Sequence, residues 1–182
     1  MRRAVVVVAV IAVATIAARV AVPSNASHLR PSSALACGVE RWKVKTLQDR
    51  PRLFLVQPIS IAQLTSHDRP APLPPTRLPF ERHQFRVSAA VTLVRREPDG
   101  DLHLVLWSGG EHMIAESPSA QCNRGATAYR RRQMRIARSE VRLCSEAEVA
   151  GVAFFDFQHG QTGVAPNAIE LHPILGFACL SG

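Results

Sequence analysis

Asp101, His103, Asp156, Glu170 and His172 are the side chains whose chemistry best suits a divalent metal ion. Carboxylate oxygens and imidazole nitrogens hold such ions at about 2.0–2.5 Å, and three or more of them must converge on one point. Glu170 and His172 are two residues apart and share one face of any strand that contains them. His103 stands opposite Leu102, Leu104 and Leu106 in an alternating run. Asp101 and Asp156 can reach the others only if the fold brings them there. The plainer reading is that histidines on half-buried strands bond to nearby backbone. No Gly-x-Ser-x-Gly elbow and no glycine-rich loop between a strand and a helix is present, so neither a serine nucleophile nor a phosphate cradle is signalled.

The cations follow a different pattern. Arg131, Arg135, Arg138 and Arg142 recur at three- and four-residue steps within 128–143, a segment free of Pro and Gly that follows a capping Thr127. A helix there places the four on one side as a basic patch that nucleic acid or another anionic polymer would find. The same pattern also describes a solvated helix face, and with one Tyr and two Trp the chain offers few rings for base stacking. Trp107, at a strand end, is the aromatic best placed for exposure.

Met1-Arg2-Arg3 precedes an apolar run, Ala4 to Val22, broken only by Arg19. This is the pattern of an export signal over 1–26, with 27–36 as a flexible spacer; an uncleaved signal would be a membrane anchor. Cleavage removes three arginines and no acid, taking the formal charge from +8 to +5. Four cysteines then lie in an oxidising compartment, which predicts disulfides rather than a metal site or a reactive thiol. Of the three possible connectivities, Cys37–Cys179 and Cys122–Cys144 are expected, the first bracketing the domain and the second bracketing the helix.

The elements that must position these groups fill 37–182 as a single domain. From Trp42 the alternation suggests a short strand, and Ser60 caps one helical turn through Ile61 and Leu64. Residues 70–79 hold five prolines and form a stiff surface connector. Strands follow from Phe85, from Leu102 after the turn Glu97-Pro98-Asp99-Gly100, and from His112; then comes the helix, a strand over 146–157 with a bulge at Gly151, and a last strand over 168–175. The succession strand, strand, strand, helix, strand, strand describes a mainly β domain with one helix, a five-stranded OB-like barrel; an α+β sheet is the alternative. In such a barrel the second and third strands and two loops, here 95–101 and 158–167, form the contact face. Asp99, Trp107, His159, Gln161 and Asn167 are the candidates on it.

The stretch from Val152-Ala153-Phe154-Phe155-Asp156 through His159-Gly160-Gln161-Thr162-Gly163-Val164-Ala165-Pro166-Asn167 to Ile169-Glu170-Leu171-His172-Pro173 resembles a segment of many small exported bacterial proteins of unassigned function. Asp99 to Leu106, Met113 to Glu116 and Cys37 to Trp42 resemble the same group, which implies an exported single domain. Asp99-Gly100-Asp101 is also similar to a fragment of the staphylococcal nuclease group, an OB-fold family. Leu102 replaces that group's usual Thr, and its Asp-x-Pro-Glu signature is absent after the third strand.

These features together read as an exported, disulfide-linked binding or interaction module rather than an enzyme. A nuclease-like metal-assisted hydrolase built on the Asp/His/Glu set is the alternative, and an anionic-polymer binder using the arginine helix is a second.

Overall fold

The computed structural model describes residues 37, 38, 40–158 and 160–182. The signal and spacer expected over 1–36 lie outside the described residues. Six strands form one sheet: β1 (Val56–Pro58), β2 (Gln84–Arg96), β3 (Leu102–Ser108), β4 (Glu111–Ser117), β5 (Cys144–Phe155) and β6 (Ile169–Ser181). The helices are α1 (Trp42–Lys45), α2 (Ile61–Thr65) and α3 (Ala128–Glu140). Among the described residues no helix is long and apolar enough to cross a membrane.

Five strands close on themselves in the order β2-β3-β4-β6-β5, with β5 returning to β2. All these pairings are antiparallel except β4 with β6, where α3 intervenes in the chain. This is the closed mixed barrel that the strand order predicts. Its seam depends on β2, whose first half pairs with β5 and second half with β3. The register shifts on both sides of β2 between Ala89 and Leu93, and the resulting bend lets one long strand serve two neighbours. β5 bends again around Gly151, where a Cβ would stand 2.8 Å from Leu171 Cβ.

Alternation fills the interior. Phe85, Val87, Ala89 and Val91 of β2 meet Leu104 and Leu106 of β3, Met113 and Ala115 of β4, Ala153 and Phe155 of β5, and Ile169 and Leu171 of β6. Helix α3 adds Ala137 to this core and places Met134 in a second, smaller cluster with Leu47, Ala126 and Val152, and Thr127 accepts a hydrogen bond from Arg130 N at its start. Ser60 caps α2 as expected, with Gln63 completing a reciprocal capping box. The proline segment runs without regular structure over the surface.

Several expectations need correction. Helix α3 ends at Glu140 rather than Leu143, because Val141 turns to extended geometry to pack on the core and lead into β5. Arg142 therefore lies off the helix and pairs with Glu140. The residues from Trp42 form a helical turn, not a strand: Val44 and Lys45 donate to Arg41 O at 2.8 and 3.0 Å. Two alternating apolar residues are too few to separate the two periods. β1, a three-residue parallel addition beside β2, had no sequence signal.

The disulfides are Cys37–Cys122 and Cys144–Cys179, with Cα separations of 5.5 and 5.9 Å. Both expected pairings are overturned. Cys144 opens β5 and Cys179 lies near the end of its antiparallel neighbour β6, so register brings them together. Cys122 and Cys144 are held apart by α3, whose thirteen residues extend about 20 Å.

Candidate functional site

Strand register assembles the site. His103 on β3 and Glu116 on β4 are direct cross-strand partners. Ile114 and Ala115 of β4 pair with Glu170 and Leu171 of β6, so one further step sets Glu116 beside His172. Because Leu104, Ala115 and Leu171 point into the core, this row points outward. It is nonetheless buried: His103 and His172 have no exposed surface, and Glu116 and Glu170 almost none.

The chain itself supplies the cover. Arg41 fixes the segment leading into α1, its guanidinium donating to both Glu81 carboxylate oxygens at 2.6 Å and to the carbonyls of Phe155, Pro74 and Thr76. One turn on, Lys45 Nζ enters the acidic group, 2.8 Å from Asp156 Oδ2, 3.4 Å from Glu116 Oε2 and 3.7 Å from Glu170 Oε1. On the other side, loop 156–168 covers His103, whose Nε2 lies 2.8 Å from Thr162 O. Gly163, at φ +86°, lies so close to Val105 that a Cβ would come within 2.5 Å of it. The contact face expected on the second and third barrel strands is thus roofed at this end by residues 40–50 and 160–168.

Of the five expected metal-site residues, Asp101 and His172 fall with Glu116 in one possible metal-holding group, whereas His103, Asp156 and Glu170 are engaged elsewhere. His103 Nδ1 is 3.0 Å from Glu116 Oε1, and its other nitrogen faces a carbonyl. Burial opposes a charge on this ring, but Glu116 and the Thr162 carbonyl outweigh it and raise the pKa. Asp156 is taken by Lys45 and by Phe157 N. Glu170, fully enclosed, is pushed up by burial against the pull of Lys45.

Asp101 and His172 differ. Asp101 Oδ1 accepts from Ser119 N, while Oδ2 has no hydrogen-bond partner. His172 Nε2 also lacks one and stands 3.9 Å from Asp101 Oδ2. The other ring nitrogen lies 3.0 Å from Glu116 Oε2 and 3.3 Å from Glu170 Oε1, close but poorly aligned. Burial raises Asp101 to about 6, partly offset by His172. Burial and Lys45 oppose the charge of His172, yet Glu116 and Glu170 prevail and lift it to about 9. Glu116 is held well below the usual carboxylate range: burial would raise it, but His103, His172 and Lys45 dominate. Lys45 stays charged because the three carboxylates outweigh its burial.

Asp101, Glu116 and His172 each present a donor atom within 4.8 Å of the others. Sequence reasoning missed Glu116 and Lys45. The first hides in a strand as an ordinary alternating residue, and the second was read on a strand instead of a helix. A cleft of about 330 Å³ reaches Asp101 and Glu116 from solvent between Lys45, Asp99 and Gln161.

Among the expected contact residues, Asp99 and Gln161 border this cleft, and Asp99 Oδ1 accepts from Asp101 N. Asn167 is committed to structure, donating to Leu64 O and His67 O and accepting from Ile169 N. Trp107 is half exposed, its ring parallel to His112, but it lies six residues along β3 from Asp101, about 20 Å away. His159 falls outside the described residues.

The fold and site define a disulfide-linked OB-type barrel with a charged, self-covered outer face. No family model matches the chain, and no curated protein matches it in sequence. Among solved structures it is similar to part of a putative aspartyl-tRNA synthetase from Leishmania major Friedlin, at 12% identity and a TM-score of 0.45 over 69% of this chain and 21% of that one. It is also similar to part of the asparaginyl-tRNA synthetase of Entamoeba histolytica, at 10% identity and a TM-score of 0.41 over 70% and 24%. The chain spans less than a quarter of either protein, and what those enzymes act on is not carried over to it.

Proposed function

We propose that this chain is an exported OB-barrel binding module centred on a divalent first-row cation held by Asp101, Glu116 and His172. The observation that carries this reading is the pair of buried, unpartnered atoms Asp101 Oδ2 and His172 Nε2, 3.9 Å apart. Two unsatisfied polar atoms in so enclosed a place are costly, and a cation about 2.0–2.2 Å from each would satisfy both. The imidazole favours Zn²⁺ over Ca²⁺, and the two carboxylates also suit Mn²⁺. The two disulfides suit an oxidising compartment, and with the export-like start of the sequence they support secretion.

Titrating chelator-treated protein with Zn²⁺, Mn²⁺ and Ca²⁺ by calorimetry tests the site. One equivalent of Zn²⁺ or Mn²⁺ is expected to bind and to stabilise the fold by about 2.7 kcal/mol at a hundredfold excess over Kd, and Asp101→Asn and His172→Gln to lose both effects. Absence of heat and of any Tm change with all three ions overturns it.

The cleft beside Asp101 and Glu116 favours one second reading, metal-assisted hydrolysis, because it leaves room for a substrate at the ion. Metal-dependent turnover of bis(p-nitrophenyl) phosphate that Asp101→Ala abolishes would select it over simple binding.

A further inference from the structure

A second charged feature lies outside the acidic cluster. Arg131, Arg135 and Arg138 of α3 line a cleft of about 210 Å³ with Arg124, from the loop before the helix. This cleft adjoins a wider one of about 540 Å³ that shares Arg124 and Arg138 and adds Arg96, at the end of β2. Five guanidinium groups therefore border one continuous groove, and no carboxylate and no aromatic ring lines it.

Two of the five are held rigidly. Arg131 donates to Arg124 O and Ala126 O at 3.0 and 2.6 Å, and Arg138 donates to Ser117 O and to Gly100 O. Those bonds tie the helix to the loop before it and to the first hairpin, so the groove is built by the fold. The side chains of Arg96, Arg124 and Arg135 have no hydrogen-bond or ion-pair partner among the described residues. Asp99 and Asp101 act on Arg138 without lining the groove.

We infer that this groove binds a short run of phosphate groups. Planar guanidinium forks match phosphate oxygens in pairs, and five of them call for more negative charge than one phosphate carries. Without rings to stack on, bases contribute nothing, so recognition is of the phosphates themselves. The site is narrower than a whole basic helix face: Arg132 and Arg142 are outside it, whereas Arg96 and Arg124 belong to it.

Tripolyphosphate and an abasic phosphodiester oligomer serve as probes with the full oxidised chain. Arg124→Ala/Arg135→Ala removes two groups with no structural bonds, so Tm should stay unchanged while the Kd for the preferred probe rises at least tenfold and the salt slope of binding falls by about two. Arg132→Ala, on the same helix outside the groove, should change Kd less than twofold. Tighter binding of tripolyphosphate identifies a condensed phosphate as the source, and tighter binding of the oligomer identifies a phosphodiester backbone. Failure of both probes to bind, equal weakening by Arg132→Ala, or no effect of the double substitution overturns the inference.

Discussion

Lys45 Nζ lies 2.8 Å from Asp156 Oδ2, a single ammonium closing a buried space that also holds Glu116 and Glu170. The contact joins α1 to the end of β5, more than a hundred residues later. It fastens the cover over the barrel face and brings a positive charge into the cluster.

Removing that charge should expose how much depends on it. Lys45→Met removes the ammonium shared by three buried carboxylates, which costs about 3–5 kcal/mol. The loss should be smaller near pH 5, where Glu170 takes up a proton, and larger at pH 8. Urea denaturation of both proteins at the two pH values checks this, and an equal loss at both would show that the ammonium only fills space.

In the presence of chelator, stability should fall as pH rises from about 6.5 to 9. His172 has a folded pKa of about 9, above its usual 6.5, so the folded state holds this proton more tightly than the unfolded chain does. Its contribution is complete below 6.5 and is lost as pH passes 9, a change on the order of 3 kcal/mol. Asp101, raised to about 6 from 3.8, acts in the same direction between about pH 4 and 6. Glu116, held low, acts in the opposite direction and only in acid. A pH series of Tm for wild type and His172→Gln is the measurement: the alkaline decline should flatten in the variant, and an unchanged slope would remove His172 as its cause.

Gly163→Ala should unseat the loop over His103. The position combines a φ of +86° with a Cβ site 2.5 Å from Val105, and the substitution should cost about 1–3 kcal/mol. Hydrogen exchange across 156–168 should speed up more than exchange in β2. Unchanged protection in that loop would mean that Val105 yields and the cover stays down.

Alternating apolar residues and turn signals made the barrel legible, because a two-residue period with one buried face leaves a strand little choice. Phe85 to Val91, the turn at 97–100 and the helix from Thr127 required no tertiary information. Asp101 and His172 were also legible as groups capable of holding a metal. Their meeting was not, since it depends on Glu116 and on the register of β4 against β6, a pairing between strands separated by a helix and more than fifty residues.

What the amino-acid order determined by itself was local: periodicity, caps, turns, and a cysteine count that implies disulfides. Tertiary structure alone decided which cysteines pair, where the helix stops, and that Lys45 and loop 156–168 cover the outer face of the sheet. Each of those outcomes follows from contacts between residues far apart in the chain, whose free energy depends on where the closed barrel places them.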